Sequence, residues 1–158
     1  MKIIKGDLID LAERGMFDII VHGCNCFNTM GSGIARQLKT RYPQVYIADL
    51  KTEKGSIEKL GTFSFSECGG LTVINAYTQH TYNLPKEGRD LFNYSAFMKV
   101  LYKLAQTYDK PNRFGFPMIG CGLAGGDPVR VMKILNMFDN LVAKHGSTVT
   151  IVQYEGSK

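Results

Sequence analysis

Two glycine-rich segments, each between a β-forming run and a helical pattern, constrain the fold of this chain more than any other feature. The first is Met30-Gly31-Ser32-Gly33-Ile34-Ala35, reached from the β-forming run Asp18 to Gly23 through a loop of Cys and Asn residues. The second is Gly120-Cys121-Gly122-Leu123-Ala124-Gly125-Gly126-Asp127, which follows the run Arg113 to Ile119. A strand that turns through glycines into a helix is the repeating unit of sheets with helices packed on their faces. Glycine lets backbone come close to a ligand, and a helix N-terminus offers unpaired N–H groups and the positive end of a dipole. Two such loops at the carboxyl ends of strands suit the two halves of a diphosphate. Either loop alone is equally consistent with a purely conformational turn.

The remaining pattern is compatible with that frame. Met1 to Lys5, Thr62 to Glu67, Leu71 to Thr78 and Thr148 to Tyr154 read as strands, with Cys68-Gly69-Gly70 as a hairpin turn. Leu8 to Glu13, Ile34 to Tyr42 and Pro43 to Thr52 read as helices, and apolar positions 92, 96/97, 100/101, 104 and 108 repeat at helical spacing from Leu91 to Tyr108. Asp127-Pro128 opens a helix with Met132, Leu135, Phe138, Leu141 and Val142 on one stripe, closed by Gly146. Strands alternating with helices around one hairpin predict a three-layer α/β/α domain with a mixed central sheet, a single domain over residues 1–158.

Composition narrows the function classes. The chain has 158 residues, 44% hydrophobic and 21% charged, which fits a globular domain and excludes a disordered one. No run approaches the roughly 18 apolar residues of a membrane span, and Met1 to Asp7 has no signal-peptide core, so a cytoplasmic protein is expected. The net charge of +5 is spread along the chain, with Lys51, Lys54 and Lys59 interleaved with Glu53 and Glu58. That spread reads as a solvated mixed-charge surface rather than a nucleic-acid groove. Oligomeric state cannot be read from the sequence.

Four cysteines (Cys24, Cys26, Cys68, Cys121) make neither a disulfide framework nor a zinc spacing, so reduced thiols and no metal are expected. Gly120, Gly122 and Gly125 match G-x-G-x-x-G, but late in the chain and without an acidic residue ending a following strand. The chain has no G-x-x-x-x-G-K-[ST]. An ordinary dinucleotide dehydrogenase and a P-loop NTPase are both disfavoured, and no cofactor is expected.

Four stretches together resemble the macrodomain family, which binds ADP-ribose. They are Lys5-Gly6-Asp7-Leu8, the segment His22 through Ala35, Asn75 to Gln79, and Ile119 to Asp127. The resemblance covers nearly the whole chain and is most specific in the combination of M-G-S-G-I-A with the later I-G-C-G-L. It is closest to the branch with ADP-ribose 1''-phosphate phosphatases and terminal ADP-ribose glycohydrolase-like members. It implies that Asp7, with Leu8, meets the adenine, and that Gly31, Ser32, Gly33 and Ile34 wrap the diphosphate and distal ribose from one side. Gly120, Cys121, Gly122, Leu123 and Ala124 would do so from the other, with Thr78 also among the ligand-binding residues; Asn25 and Asn28 either position water or a ribose hydroxyl or serve as loop residues that tolerate a left-handed backbone. Asp7 is equally a helix cap on sequence grounds.

Where this chain departs from its relatives bears on the chemistry. Familiar macrodomains carry Asn-Ala-Ala-Asn where this one has His22-Gly23-Cys24-Asn25. Lysine-dependent glycohydrolase members use a Lys and an Asp at the places held here by Gln79 and Ala124. The remaining pattern resembles the phosphatase-like members and implies His22 and Asp127 as the catalytic pair acting on ADP-ribose 1''-phosphate. Imidazole suits proton transfer or attack on phosphorus near neutral pH. The residues also admit plainer readings, His22 as a packed strand histidine and Asp127-Pro128 as a helix cap. Removal of ADP-ribosyl groups, and ADP-ribose binding without chemistry, remain alternative functions.

Overall fold

The computed structural model describes residues 1–81, 91–122 and 124–155. In chain order the elements are β1 (Lys2–Gly6), α1 (Leu8–Glu13), β2 (Ile19–Cys24), α2 (Gly33–Arg41), α3 (Pro43–Leu50), a 3₁₀ turn (Ile57–Lys59), β3 (Phe63–Cys68), β4 (Leu71–Tyr77), α4 (Tyr94–Thr107), β5 (Arg113–Phe116), α5 (Pro128–Ala143) and β6 (Thr148–Tyr154). The strands form one sheet in the order β1-β6-β5-β2-β4-β3. All neighbours are parallel except the β3–β4 hairpin. This is the expected mixed sheet.

Alternation along the strands divides the interior into two layers. Ile19, Val21, Ile74, Phe114, Phe116 and Ile151 face Phe97, Leu101 and Leu104 of α4 and Leu135, Phe138 and Val142 of α5. Ile20, Val73 and Val152 face Leu8 and Ala12 of α1, Leu38 of α2 and Val45 of α3. β4 is buried along its entire length, as a strand covered on both faces must be. Among the described residues no helix is long and apolar enough to cross a membrane.

Most boundaries fall within one or two residues of those expected, and the differences have physical causes. The run Arg113 to Ile119 remains a strand only as far as Phe116, because Pro117 has no N–H for the ladder. The helix expected from Leu91 starts at Tyr94, where the Asn93 side chain accepts from the Ala96 N–H at 2.8 Å. The 3₁₀ turn at Ile57–Lys59 was not legible, being three residues held by one Ser56 cap.

β5 reaches the middle of the sheet through one close approach. A Cβ built on Gly115 would stand 2.8 Å from Phe17 Cγ and 3.0 Å from Leu8 Cδ1. Gly115→Ala is therefore expected to destabilise the fold by about 1–3 kcal/mol through overpacking. Urea denaturation checks this: the midpoint should fall with an unchanged slope.

Candidate active site at the carboxyl edge of the sheet

The loops that follow the parallel strands meet at one edge. Thr78 donates its N–H to Cys24 O at 3.2 Å, Cys26 to His80 O at 3.0 Å, and Asn93 to Thr78 O at 2.7 Å. Leu91 and Phe92 donate to Ala124 O at 3.0 and 3.1 Å, which ties the segment before α4 to the loop after β5. Asp7 closes β1 on the same edge. β1 and β5 are two strand spacings apart, about 10 Å, and β2 is one spacing further. An elongated ligand laid across the strand ends would touch all three.

The first glycine loop arrives at α2 with its anion-binding groups open. Ser32 is extended at the N-cap and makes no side-chain cap bond, so the first-turn N–H groups of a nine-residue helix have no side chain on them. Gly31, Ser32 and Gly33 are exposed, and a Cβ on Gly31 or Gly33 would meet nothing within 4 Å. Gly33 has φ +58°, a conformation that only glycine adopts freely. Ile34 packs against the core on the α1–α3 side. Asn25 is spent on its own loop: its amide donates to Thr29 Oγ1 at 2.7 Å, and its carbonyl accepts from Phe27 N at 2.8 Å.

Beneath this loop lies a polar network that the sequence reading missed. Lys59, expected on a solvated surface, is 7% exposed. Its ammonium donates to Cys26 O at 3.1 Å and Asn28 Oδ1 at 2.6 Å and lies 4.6 Å from the Tyr77 ring centroid. Asp49, 1% exposed, accepts from the Tyr77 hydroxyl at 2.7 Å. Burial pushes Lys59 down and Asp49 up from their ordinary values, while each charge partly offsets the shift of the other. Burial likewise raises the Cys24 and Cys26 thiols, which remain protonated. A pattern of alternating Lys and Glu looks solvated in sequence, and only the turn that carries Lys59 inward reveals otherwise.

The second glycine loop differs from the expected helix-terminus site. Asp127 caps α5, its Oδ1 accepting from Val129 N at 3.0 Å, and Pro128 at the first helical position has no N–H. The terminus of α5 is therefore filled by its own residues, and any grip on an anion falls to the loop backbone. That loop is cross-braced by Gly126 N–H to Gly120 O at 2.7 Å and Gly125 N–H to Gly122 O at 3.0 Å. Gly120 has φ +75°, and an added Cβ would come within 2.3 Å of Phe92. Gly122 is exposed and faces open space. Ala124 is buried, and Cys121 is half-buried with its thiol directed to Ile119 O at 3.5 Å. Leu123 lies outside the described residues.

Asp7 is both half-buried and a cap, one carboxylate oxygen accepting from Asp10 N at 3.0 Å. Leu8, beside it, is a core residue. Thr78 is buried, and its hydroxyl is without a hydrogen-bond partner among the described residues; it lies 2.9 Å from where a Gly23 Cβ would be. Among the described residues no group of three or more His, Cys, Asp or Glu could hold a metal ion.

His22, expected either as a catalytic imidazole or as a packed strand histidine, is buried. It is 0% exposed, on the β2 face that looks toward α3, and its Nε2 donates to Asn75 Oδ1 at 2.6 Å. The Asn75 amide continues to Val45 O and Ser64 Oγ, each at 3.0 Å. Burial lowers the His22 pKa to about 4, so the ring is neutral near pH 7. Described side chains give no hydrogen-bond path from His22 to Asp127, which donates its own N–H to Tyr94 Oη at 2.8 Å. The folded pKa lies below the unfolded one, so as pH falls through 6.5 the unfolded chain takes up a proton that the native protein refuses. Stability should therefore drop by roughly 2 kcal/mol between pH 7.5 and pH 5 from this residue. Comparing denaturation of wild type and His22→Gln at both pH values isolates the effect, because the variant should lose that part of the pH dependence.

No family model matches the chain. It is 37% identical over 145 residues, 89% of its length and 90% of theirs, to an uncharacterized 17.5 kDa protein of the tk-vs intergenic region of Enterobacteria phage T4. Over 74 residues, 47% of this chain and 37% of the other, it is 31% identical to an ADP-ribose 1''-phosphate phosphatase of Saccharomyces cerevisiae. Among solved structures it superposes on the macrodomain of Mycobacterium tuberculosis DarG with a TM-score of 0.71 at 22% identity, covering 98% of each chain. It also superposes on a Trypanosoma brucei macrodomain in complex with ADP-ribose, with a TM-score of 0.65 at 15% identity, covering 96% of this chain and 62% of that one. The sheet order, the glycine loops at its carboxyl edge and these likenesses lead to one assignment: the chain has the macrodomain fold.

Proposed function

We propose that this protein binds ADP-ribose across the carboxyl edge of the sheet and hydrolyses ADP-ribose 1''-phosphate to ADP-ribose and phosphate. The observation that carries the binding reading is the uncapped N-terminus of α2 beside the exposed Gly31 and Gly33, on the loop that leaves β2, with the braced loop that contains Gly120 and Gly122 leaving the same sheet edge from the adjacent strand β5. Open N–H groups on one side and a rigid backbone cradle on the other suit a diphosphate. Asp7, two strand spacings away, keeps its second carboxylate oxygen for the adenine amino group. The ADP-ribose held by the Trypanosoma brucei macrodomain supports the same ligand.

The phosphatase part draws its support from the partial likeness to the yeast enzyme and from the exposed Asp127 carboxylate at the end of the second loop. Water attacks the phosphorus, the bond from phosphorus to the ribose 1''-oxygen breaks, and that oxygen ends as the hydroxyl of ADP-ribose. Asp127 orients the water, takes up its proton and passes it to the departing 1''-oxygen, which returns Asp127 to the carboxylate, while loop N–H groups stabilise charge on the phosphoryl oxygens. His22 enters as a neutral packing residue behind the first loop, not as the base.

Gly31→Glu and Gly122→Glu place an acidic side chain in open space, so both variants should fold. Each should weaken ADP-ribose binding about tenfold or more through like-charge repulsion, as titration calorimetry reads. Asp127→Asn keeps a competent helix cap. It should retain ADP-ribose affinity while phosphate release from ADP-ribose 1''-phosphate falls by about a hundredfold. Release undiminished in Asp127→Asn would reduce Asp127 to a cap. A wild type that binds ADP-ribose but releases no phosphate would identify a non-catalytic binder, or, if it cleaves ADP-ribosylated protein or nucleic acid, an ADP-ribosyl hydrolase.

A further inference from the structure

We infer that Lys59 is a positioning residue for the proposed ligand site, its buried ammonium holding the loop between β2 and α2 in the shape that presents Gly31, Ser32 and Gly33. The inference rests on the ADP-ribose reading of that edge. Its physical basis is where the charge finds its partners. A buried ammonium is costly unless its donors are satisfied. No direct ion pair to Lys59 exists among the described residues; the Asp49 carboxylate is engaged by Tyr77 instead. The atoms that satisfy Lys59 are loop atoms, Cys26 O and Asn28 Oδ1.

Asn28 is where that grip acts on the backbone. It is the one non-glycine residue with positive φ among the described residues, at +58°, a conformation that costs about 1 kcal/mol and persists only where its surroundings enforce it. The enforcement is dense. Its side-chain amide donates to Thr52 O at 3.0 Å, and its backbone carbonyl accepts from Tyr46 Oη at 3.0 Å. Its Oδ1 accepts from Lys59 Nζ, the shortest of these contacts at 2.6 Å. Three residues later the chain reaches Gly31. The loop's opposite wall is held too, by Gly55 N–H to Cys26 O at 2.6 Å and by the His80 ring 3.0 Å from Gly55 O. Lys59 thus spans the segment after α3 and the ligand loop, and touches neither Gly31 nor Gly33 directly.

The test combines hydrogen exchange of the ligand-free protein with ADP-ribose titration, using Lys59→Met and Asn28→Gly. Asn28→Gly keeps the positive φ accessible and removes the side chain that Lys59 grips, so it answers the question even if Lys59→Met does not fold. In both variants the amides of Cys26 and Phe27 should exchange about tenfold or more faster, while those of β1, β6 and α5 keep their wild-type rates. These two amides are protected in the wild type by His80 O and Asn25 Oδ1. ADP-ribose affinity should fall about tenfold in each variant and fall no further in the double variant, because both break the same contact. Unchanged exchange at Cys26 and Phe27, equal acceleration throughout the protein, or additive losses in the double variant would overturn the inference. A wild type that fails to bind ADP-ribose would overturn the ligand reading alone, since the exchange pattern judges the role of Lys59 without any ligand.

Discussion

Everything at the candidate site follows from the position of β2. It bonds in parallel to β5 on one side and to β4 on the other, so three loops leave the same edge of the sheet from adjacent strands. β2 can occupy that place because Ile19, Ile20 and Val21 bury on both faces and Gly23 leaves room for Thr78 and Ile119 at its end. Strand order reverses there, with the chain returning through α2 and α3 on one face and α4 and α5 on the other. Such a reversal is where open sheets leave a crevice for ligands.

The two glycine loops that meet at this edge solve the same problem with different physics. The α2 loop exposes a helix terminus and is supported from below by buried polar groups, Lys59, Asn28, Tyr77 and Asp49. The β5 loop has its helix terminus occupied by Asp127 and Pro128 and is instead rigid through its own backbone bonds and the fit of Gly120 against Phe92. One wall therefore contributes field, the other shape. A net charge of +5 adds a mild general attraction for phosphates, without any single basic side chain having to reach them.

Most of the architecture was legible because it depends on local signals: β-forming runs, helical spacing in α4 and α5, the Asn and Asp caps, and glycines at the turns. The glycine turns at the sheet edge were legible for the same reason, since the backbone freedom of Gly33 and Gly120 and the open space at Gly31 and Gly122 belong to the glycines themselves. Side-chain roles were less so. His22 lies two residues before the end of β2, close to the loop that leads to α2, yet strand parity turns it toward α3 and Asn75, a partner 53 residues away in sequence. Lys59 sits in a run of mixed charge, and nothing local says that a three-residue turn carries it under Cys26 and Asn28. Asp127 showed both its cap signature and its place in the loop, and sequence alone could not rank the two.

ADP-ribose is proposed to lie across the strand ends between the two glycine loops. Titrating ADP-ribose into the isotope-labelled protein and following backbone amide resonances tests it most directly. Saturable shifts are expected at Asp7, Gly31 to Ala35 and Gly120 to Ala124, with the outer surface of α5 unmoved. Shifts confined to another face, or none at millimolar ADP-ribose, would contradict it.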